Sequence, residues 1–260
     1  ADGDLFSWYK ANAEGYNVKI SDPNVWISQI QGPKSMELLS KLIKEDIAKK
    51  WNYFDCKEVT FLSEKIIISR TGFTNELGWE IYFRPENNAE KIGDLILSEG
   101  KKMGMILTAT PSFRGRRIEA GLLSAGQDFD KNTNPFSVGL GKFVDLDKKD
   151  FIGKKALSNV EKKCRTWGLR IKENVALKGE NIFSNNKVIG RVTSSTWSPF
   201  QVCGVAIIHL NNYQFGPGSV IDVKCSDGKI YKGEICSLPM YDKKNEIVRG
   251  LIENIPTKPE

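Results

Sequence analysis

At 260 residues, with 38 basic and 32 acidic side chains and a formal net charge of +6, the chain has room for one large core or two smaller ones. Its 40% apolar content is ordinary for a globular protein, and no apolar run approaches the roughly eighteen residues that a membrane helix needs. The basic residues are scattered in pairs, such as Lys101-Lys102 and Lys154-Lys155, which reads as solvated faces rather than a nucleic-acid patch.

The first predicted element is a helix over residues 5–13, capped by Asp2 or Asp4 and ended by Gly15. A strand over 17–21 stops at Asp22-Pro23. A second strand over 25–30 places Val25, Ile27 and Gln29 on one face and Trp26, Ser28 and Ile30 on the other. Gln31-Gly32-Pro33 ends that strand and starts a helix over 33–43, with Pro33 in its first turn and Met36, Leu39, Leu42 and Ile43 on one stripe. The aromatic cluster Trp51-Asn52-Tyr53-Phe54 precedes a strand over 57–62. Such clusters pack cores; a cofactor wall is the alternative.

A long-looped hairpin follows, with strands over 65–70 and 79–83 and a turn through 72–78. In its second strand Glu80 and Tyr82 share one face, and Trp79, Ile81 and Phe83 share the other. The apolar face reads as core. A carboxylate facing inward from a strand is costly unless something hydrogen-bonds it. A ligand with an amidine-like edge, two N–H donors in a row, would satisfy Glu80. From pattern alone, an ordinary solvent-facing Glu is the alternative.

A helix over 89–100, capped by Asn87 or Asn88, turns Ile92, Leu95, Ile96 and Met103 inward, and a strand over 105–109 leads to Pro111. Residues 111–123 read as a helix bearing Arg114, Arg116, Arg117 and Glu119, weakened by Gly115. From these residues alone, Glu119 forms a surface salt bridge with Arg116 or Arg117. In the turn-rich stretch 127–135, Asp128 and Asp130 lack the glycine and closing Glu of a calcium loop, so no metal is assigned. Residues 160–163 mark a boundary. Beyond it, short strands over 166–171, 181–183, 188–192, 205–208, 220–225 and 229–235 predict a small β-barrel or sandwich, with turns at Asn185-Asn186, Gly216-Pro217-Gly218 and Asp227-Gly228. His209 reads as a structural residue at a strand end. With five cysteines, no CxxC pair and one histidine, no zinc set can be assembled, and the thiols read as reduced in a cytoplasmic setting.

The stretch SRTGFTNELGWEIY at 69–82 resembles the S-R-T-G-[YF]-T-x-E-x-G-[FW]-E signature of the folate-dependent T-protein family. That family includes the aminomethyltransferase of glycine cleavage and the dimethylsulfoniopropionate demethylases. QGPKS at 31–35, RIEAG at 117–121, the run from Ser124 to Leu157 and GRVTSSTWSP at 190–199 resemble further family stretches in the same order. The resemblance implies an α+β fold, with ferredoxin-like α/β sandwich parts followed by a C-terminal antiparallel β-barrel. Residues 1–123 would form the main folate-binding domain, 124–163 a second-domain segment and linker, and 164–260 the barrel.

The resemblance also implies roles. Glu80 would grip the pterin ring of tetrahydrofolate, Phe73 and Tyr82 would line the site, Arg117 would reach into it, and Trp197 would stack on the folate side. The family's catalytic Asp falls upstream of Ala1, and Asp2 and Asp4 do not match it. No catalytic residue is therefore assigned, and an N-terminal segment of the same protein is expected to precede this chain and cover its sheet edges. The donor would be a small N- or S-methyl or aminomethyl compound, or an aminomethyl group on a lipoyl carrier protein. ENVALKGENIF at 173–183 and ICSLP at 235–239 resemble the demethylases, whereas the hairpin loop resembles the aminomethyltransferases. The demethylases carry Trp where Phe73 stands, and a sulfonium cation gains from an aromatic face. A non-catalytic folate-binding relative is the third reading.

Overall fold

The computed structural model describes residues 4–43 and 51–252. Asp2 and the Lys49-Lys50 pair lie outside the described residues. The chain divides into two compact units. One runs through Thr110 and takes in the segment that begins at Lys244; the other begins at Pro111 and ends at Lys243.

In the first unit, α1 (Leu5–Ala11) is capped by Asp4, whose Oδ1 accepts from Ser7 N at 2.9 Å. Residues 17–21, expected as a strand, have no regular structure. β1 (Trp26–Gln31), β2 (Cys56–Phe61), β3 (Glu64–Ser69) and β4 (Gly78–Phe83) form an antiparallel sheet in the order β1-β4-β3-β2. α2 (Ser35–Leu42) and α3 (Ala89–Lys102) supply the residues that cover one face. Asn88 caps α3, accepting from Lys91 N at 3.0 Å. Lys101 and Lys102 in its last turn complement the helix dipole.

The core of this unit is the set of side chains the alternation turns one way. Phe61, Ile66, Ile68, Trp79 and Ile81 meet Leu39 of α2 and Ile92 of α3, all fully buried. Each such side chain contributes about 1.5–3 kcal/mol relative to exposure. The expected strand over 105–109 is absent: these residues are irregular, and Ile106 and Leu107 are exposed.

In the second unit α4 (Thr110–Glu119) is shorter than the helix expected over 111–123. A short α5 (Lys154–Ser158) precedes the barrel. β5 (Thr166–Ile171), β6 (Asn181–Ser184), β7 (Lys187–Ser198), β8 (Cys203–Leu210), β9 (Val220–Lys224) and β10 (Ile230–Cys236) close in the order β10-β5-β8-β7-β6-β9. The sequence left barrel and sandwich open; closure is the outcome, and it leaves no strand edge within the ring. β7 extends well past residue 192 because a bulge between Val192 and Ser194 lets it continue along β8. Gly204 permits a close approach: a Cβ there would overlap the carbonyl of Asn174. Among the described residues the five cysteines are free thiols, and no helix is long and apolar enough to cross a membrane.

Candidate functional site

The hairpin formed by β3 and β4 is fixed by its loop. Arg70 is buried, its Nη1 donating to the Trp51 carbonyl and its Nη2 to Val248 O at 3.5 Å. Its backbone N–H donates to Asp55 O at 2.8 Å and its carbonyl accepts from Phe54 N at 3.1 Å. Trp51 in turn packs edge-on against Trp79, with ring centroids 5.4 Å apart. Thr74 Oγ1 donates to Gln31 Oε1 at 2.9 Å, and Asn75, at φ 55°, donates to Asn245 Oδ1 at 3.1 Å. Gly32 N and Ser35 Oγ both donate to the Leu77 carbonyl, so the start of α2 holds the far end of the loop.

On the face of β4 away from the core, Glu80 is the centre of a polar cluster. Its Oε1 accepts from Gln29 Nε2 at 2.9 Å. Its Oε2 accepts from Tyr82 Oη at 3.2 Å and from Thr71 Oγ1. Ser69 Oγ lies 3.2 Å from Tyr82 Oη, and its one proton serves either that phenol or the adjacent Thr71 hydroxyl, whose own proton goes to Glu80. A hydroxyl donates and accepts at once, so either way Ser69 and Glu80 belong to one chain of hydrogen bonds. Tyr53 stands near enough that the Glu80 charge adds to burial in raising its pKa above the usual phenol range, burial being the larger cause.

Glu80 and Tyr82 are half-buried, so the carboxylate is ordered by neutral donors and still reachable. It can take N–H donors from a ligand whose polar edge matches its two oxygens. Phe73 sits in the loop of the same hairpin, 40% exposed. The structure thus brings Glu80 and Tyr82 together, with Phe73 on the loop leading into their strand. The sequence pattern does not point to Gln29, Ser69 or Thr71 as members of the cluster. Alternation puts Gln29 on the face of Val25 and Ile27, and only the register Gln29↔Glu80 between β1 and β4 shows that this is Glu80's face.

Arg117 and Trp197 belong to the other unit. Arg117 is buried with Asp128, at 3% and 2% exposure. Its Nη1 donates to Asp128 Oδ2 at 2.7 Å and to Leu122 O at 3.0 Å, and its Nη2 donates to Ser194 Oγ at 2.8 Å. Asp128 also accepts from Ser124 N, Thr193 Oγ1 and Ser194 Oγ at 2.6–2.9 Å. This network ties the loop after α4 to the bulge of β7. The surface salt bridge expected for Glu119 is instead a buried one: Glu119 is 1% exposed and takes Arg116 and the Ser198 hydroxyl. Arg116 also donates to Tyr241 Oη at 2.7 Å, and burial pushes the Tyr241 phenol up to about 12. Trp197 is 41% exposed near the end of β7, paired across from Gly204 of β8. His209 is half-buried on β8, its Nδ1 2.8 Å from Thr166 Oγ1. Burial, and then the charges of Arg165 and Arg191, lower its pKa.

Comparison with known proteins gives a consistent set of matches. The GCVT N-terminal domain matches residues 1–148, and the glycine cleavage T-protein C-terminal barrel domain matches residues 165–242. An aminomethyltransferase from Thermotoga sp. (strain RQ2) is 31% identical over 245 residues, covering 91% of this chain and 65% of its own length. One from Thermosipho melanesiensis is 33% identical over 249 residues, covering 91% and 64%. The chain spans just under two thirds of the length of these relatives. The crystal structure of glycine cleavage system aminomethyltransferase T from Bartonella henselae matches with a TM-score of 0.80 at 23% identity, over 92% of this chain and 66% of that one, which is a likeness of fold.

Proposed function

The chain belongs to the glycine cleavage T-protein family, and from that premise we propose that it serves tetrahydrofolate-dependent transfer of a one-carbon unit from an aminomethyl donor. The observation that carries this reading is the Glu80 carboxylate, half-buried on the sheet face opposite the core and ringed by Gln29, Thr71 and Tyr82. The residues present fit a pterin. Its amidine edge offers two parallel N–H donors, and a carboxylate offers two acceptor oxygens at matching spacing. Bound tetrahydrofolate would supply the N5 nitrogen to which the one-carbon unit is passed.

The chain's own part is placement. Glu80 holds the ring edge, and Tyr82 keeps the carboxylate in one rotamer. Phe73, 40% exposed on the hairpin loop that leads into β4, would offer a ring face to the pterin. Holding a donor carbon and an acceptor nitrogen in register removes much of the entropic barrier to a two-body reaction. The aminomethyl donor is preferred over a sulfonium because the named relatives are aminomethyltransferases and because Phe73 stands where a sulfonium site favours Trp.

The test is to incubate the chain with tetrahydrofolate and one donor at a time, and to identify the folate product by mass. The donors are an aminomethyl-lipoyl carrier, methylated glycines and dimethylsulfoniopropionate. Methylene-folate from the carrier is the expected result. Methyl-folate from the sulfonium donor would replace the reading with a demethylase. Folate binding without product from any donor would replace it with a non-catalytic folate-binding protein.

A further inference from the structure

Gln29 pairs directly with Glu80 across β1 and β4, and its carboxamide is half used. The amide N–H group donates to Glu80 Oε1 at 2.9 Å. That contact settles which way the amide points, because the reverse orientation would set two acceptors against each other. Gln29 Oε1 is then buried with no hydrogen-bond partner among the described residues. Buried acceptors are nearly always satisfied, and one that is not calls for a reason. The other members of the cluster supply none. Ser69, Thr71 and Tyr82 spend their hydroxyl protons on one another and on Glu80.

The chemistry of the proposed ligand supplies what is missing. The polar edge of a 2-amino-4-oxo pterin carries three N–H protons, one on the ring and two on the exocyclic amine. A carboxylate takes the ring N–H and one amine proton, which leaves the second amine proton pointing to the side. We infer that Gln29 is a specificity-determining residue whose carbonyl oxygen accepts that second proton of the exocyclic amine, beside the Glu80 carboxylate. The inference rests on the reading of Glu80 as the pterin holder. The terminal torsion of a Gln side chain is broad, so the oxygen follows an incoming donor without movement of β1. Gln29 and Glu80 together then form a row of acceptors that distinguishes a 2-amino ring from a ring lacking that amine. Specificity of this kind is strong because the wrong ligand leaves a buried acceptor unpaired.

The test compares the native chain with Gln29→Met, a variant of similar length with no polar end. Calorimetric titration uses two ligands: tetrahydrofolate, and its analogue with the 2-amino group replaced by methyl. The expected result is a loss of about three- to tenfold in affinity for tetrahydrofolate, the size of one neutral hydrogen bond, with a clearly smaller loss for the methyl analogue, which feels only the missing donor to Glu80. An equal loss for both ligands would mean that Gln29 only steadies Glu80, and would overturn the inference. No loss for either would overturn it as well. In both cases the native chain still binds tetrahydrofolate, so the Glu80 reading survives. A native chain that binds neither ligand would overturn the Glu80 reading and this inference with it.

Discussion

Replacing Asp128 by Ala would expose the cost of stranding one buried charge. Asp128 and Arg117 are almost fully buried, 2.7 Å apart. Removing one partner of such a pair costs about 3–5 kcal/mol, because the surviving charge has lost both water and its counter-ion. Some of the network compensates. Arg117 keeps the Leu122 carbonyl and Ser194 Oγ as acceptors, and Thr193 Oγ1 keeps Ile207 O at 3.0 Å. Ser124 N and the Ser194 hydroxyl lose an acceptor outright. The balance stays near 4 kcal/mol, which at roughly 2–4 °C per kcal/mol is a fall on the order of 10 °C in melting temperature. Calorimetry of Asp128→Ala would read it directly. The double variant Asp128→Leu with Arg117→Met should recover most of the loss, since a buried ion pair replaced by apolar groups is often neutral. A change in Asp128→Ala below about 0.5 kcal/mol, the scale of an exposed pair such as Glu37 with Lys41, would refute the reasoning.

Three further outcomes follow from the same structure. Glu80→Ala should lower tetrahydrofolate affinity by about a hundredfold or more, since two charge-assisted hydrogen bonds are lost; fluorescence titration reads the affinity, and an unchanged circular dichroism spectrum shows that the fold is intact. His209 has a folded-state pKa below its ordinary value, so the unfolded chain binds the extra proton first. Stability should therefore be full at pH values above about 6.5 and fall as pH drops through that ordinary value toward the lowered folded one; denaturant midpoints across that window should slope in the native chain and less so in His209→Gln. Gly204→Ala should destabilise the barrel by about 1–3 kcal/mol by overpacking, because the new methyl would overlap the Asn174 carbonyl; a thermal melt at the native temperature would contradict this.

What the sequence discloses depends on whether the deciding contact is local. Asn185-Asn186 announces the tight turn between β6 and β7, and both residues adopt positive φ, 48° and 60°, which Asn tolerates well. Leu62-Ser63 makes a turn of the same kind between β2 and β3, at φ 48° and 72°. Neither residue advertises it; the turn lies between Phe61 and Ile66, both fully buried. The strands expected over 17–21 and 105–109 have the right composition but pair with nothing among the described residues, and strand propensity expresses itself only against a neighbour. The site divides in the same way. Alternation within one strand puts Glu80 and Tyr82 on the face away from Trp79 and Ile81. Gln29 depends on the register between β1 and β4, and a slip of one residue would have turned it to the core. Arg117 and Asp128 are eleven residues apart in the chain, and only the fold of the loop between them makes them partners.

The proposal that Glu80 holds a ligand gains support from its two neighbours on β4. Trp79 and Ile81 are both fully buried, so the backbone of Glu80 is held from either side by the core itself. The side chain's remaining freedom is its rotamer, and Gln29, Thr71 and Tyr82 restrict that. A carboxylate ordered before binding loses little entropy on meeting its ligand. The same donors also set a limit, because each occupies a lone pair that a ligand N–H would use. Tyr82 has an exit: its hydroxyl lies 3.2 Å from Ser69 Oγ as well as from Glu80 Oε2, so the phenol proton can turn to Ser69 and free the carboxylate oxygen. Gln29 has none of this kind, since its amide cannot reverse without opposing two acceptors. On the proposed reading it shares the carboxylate and contributes its own oxygen to the ligand.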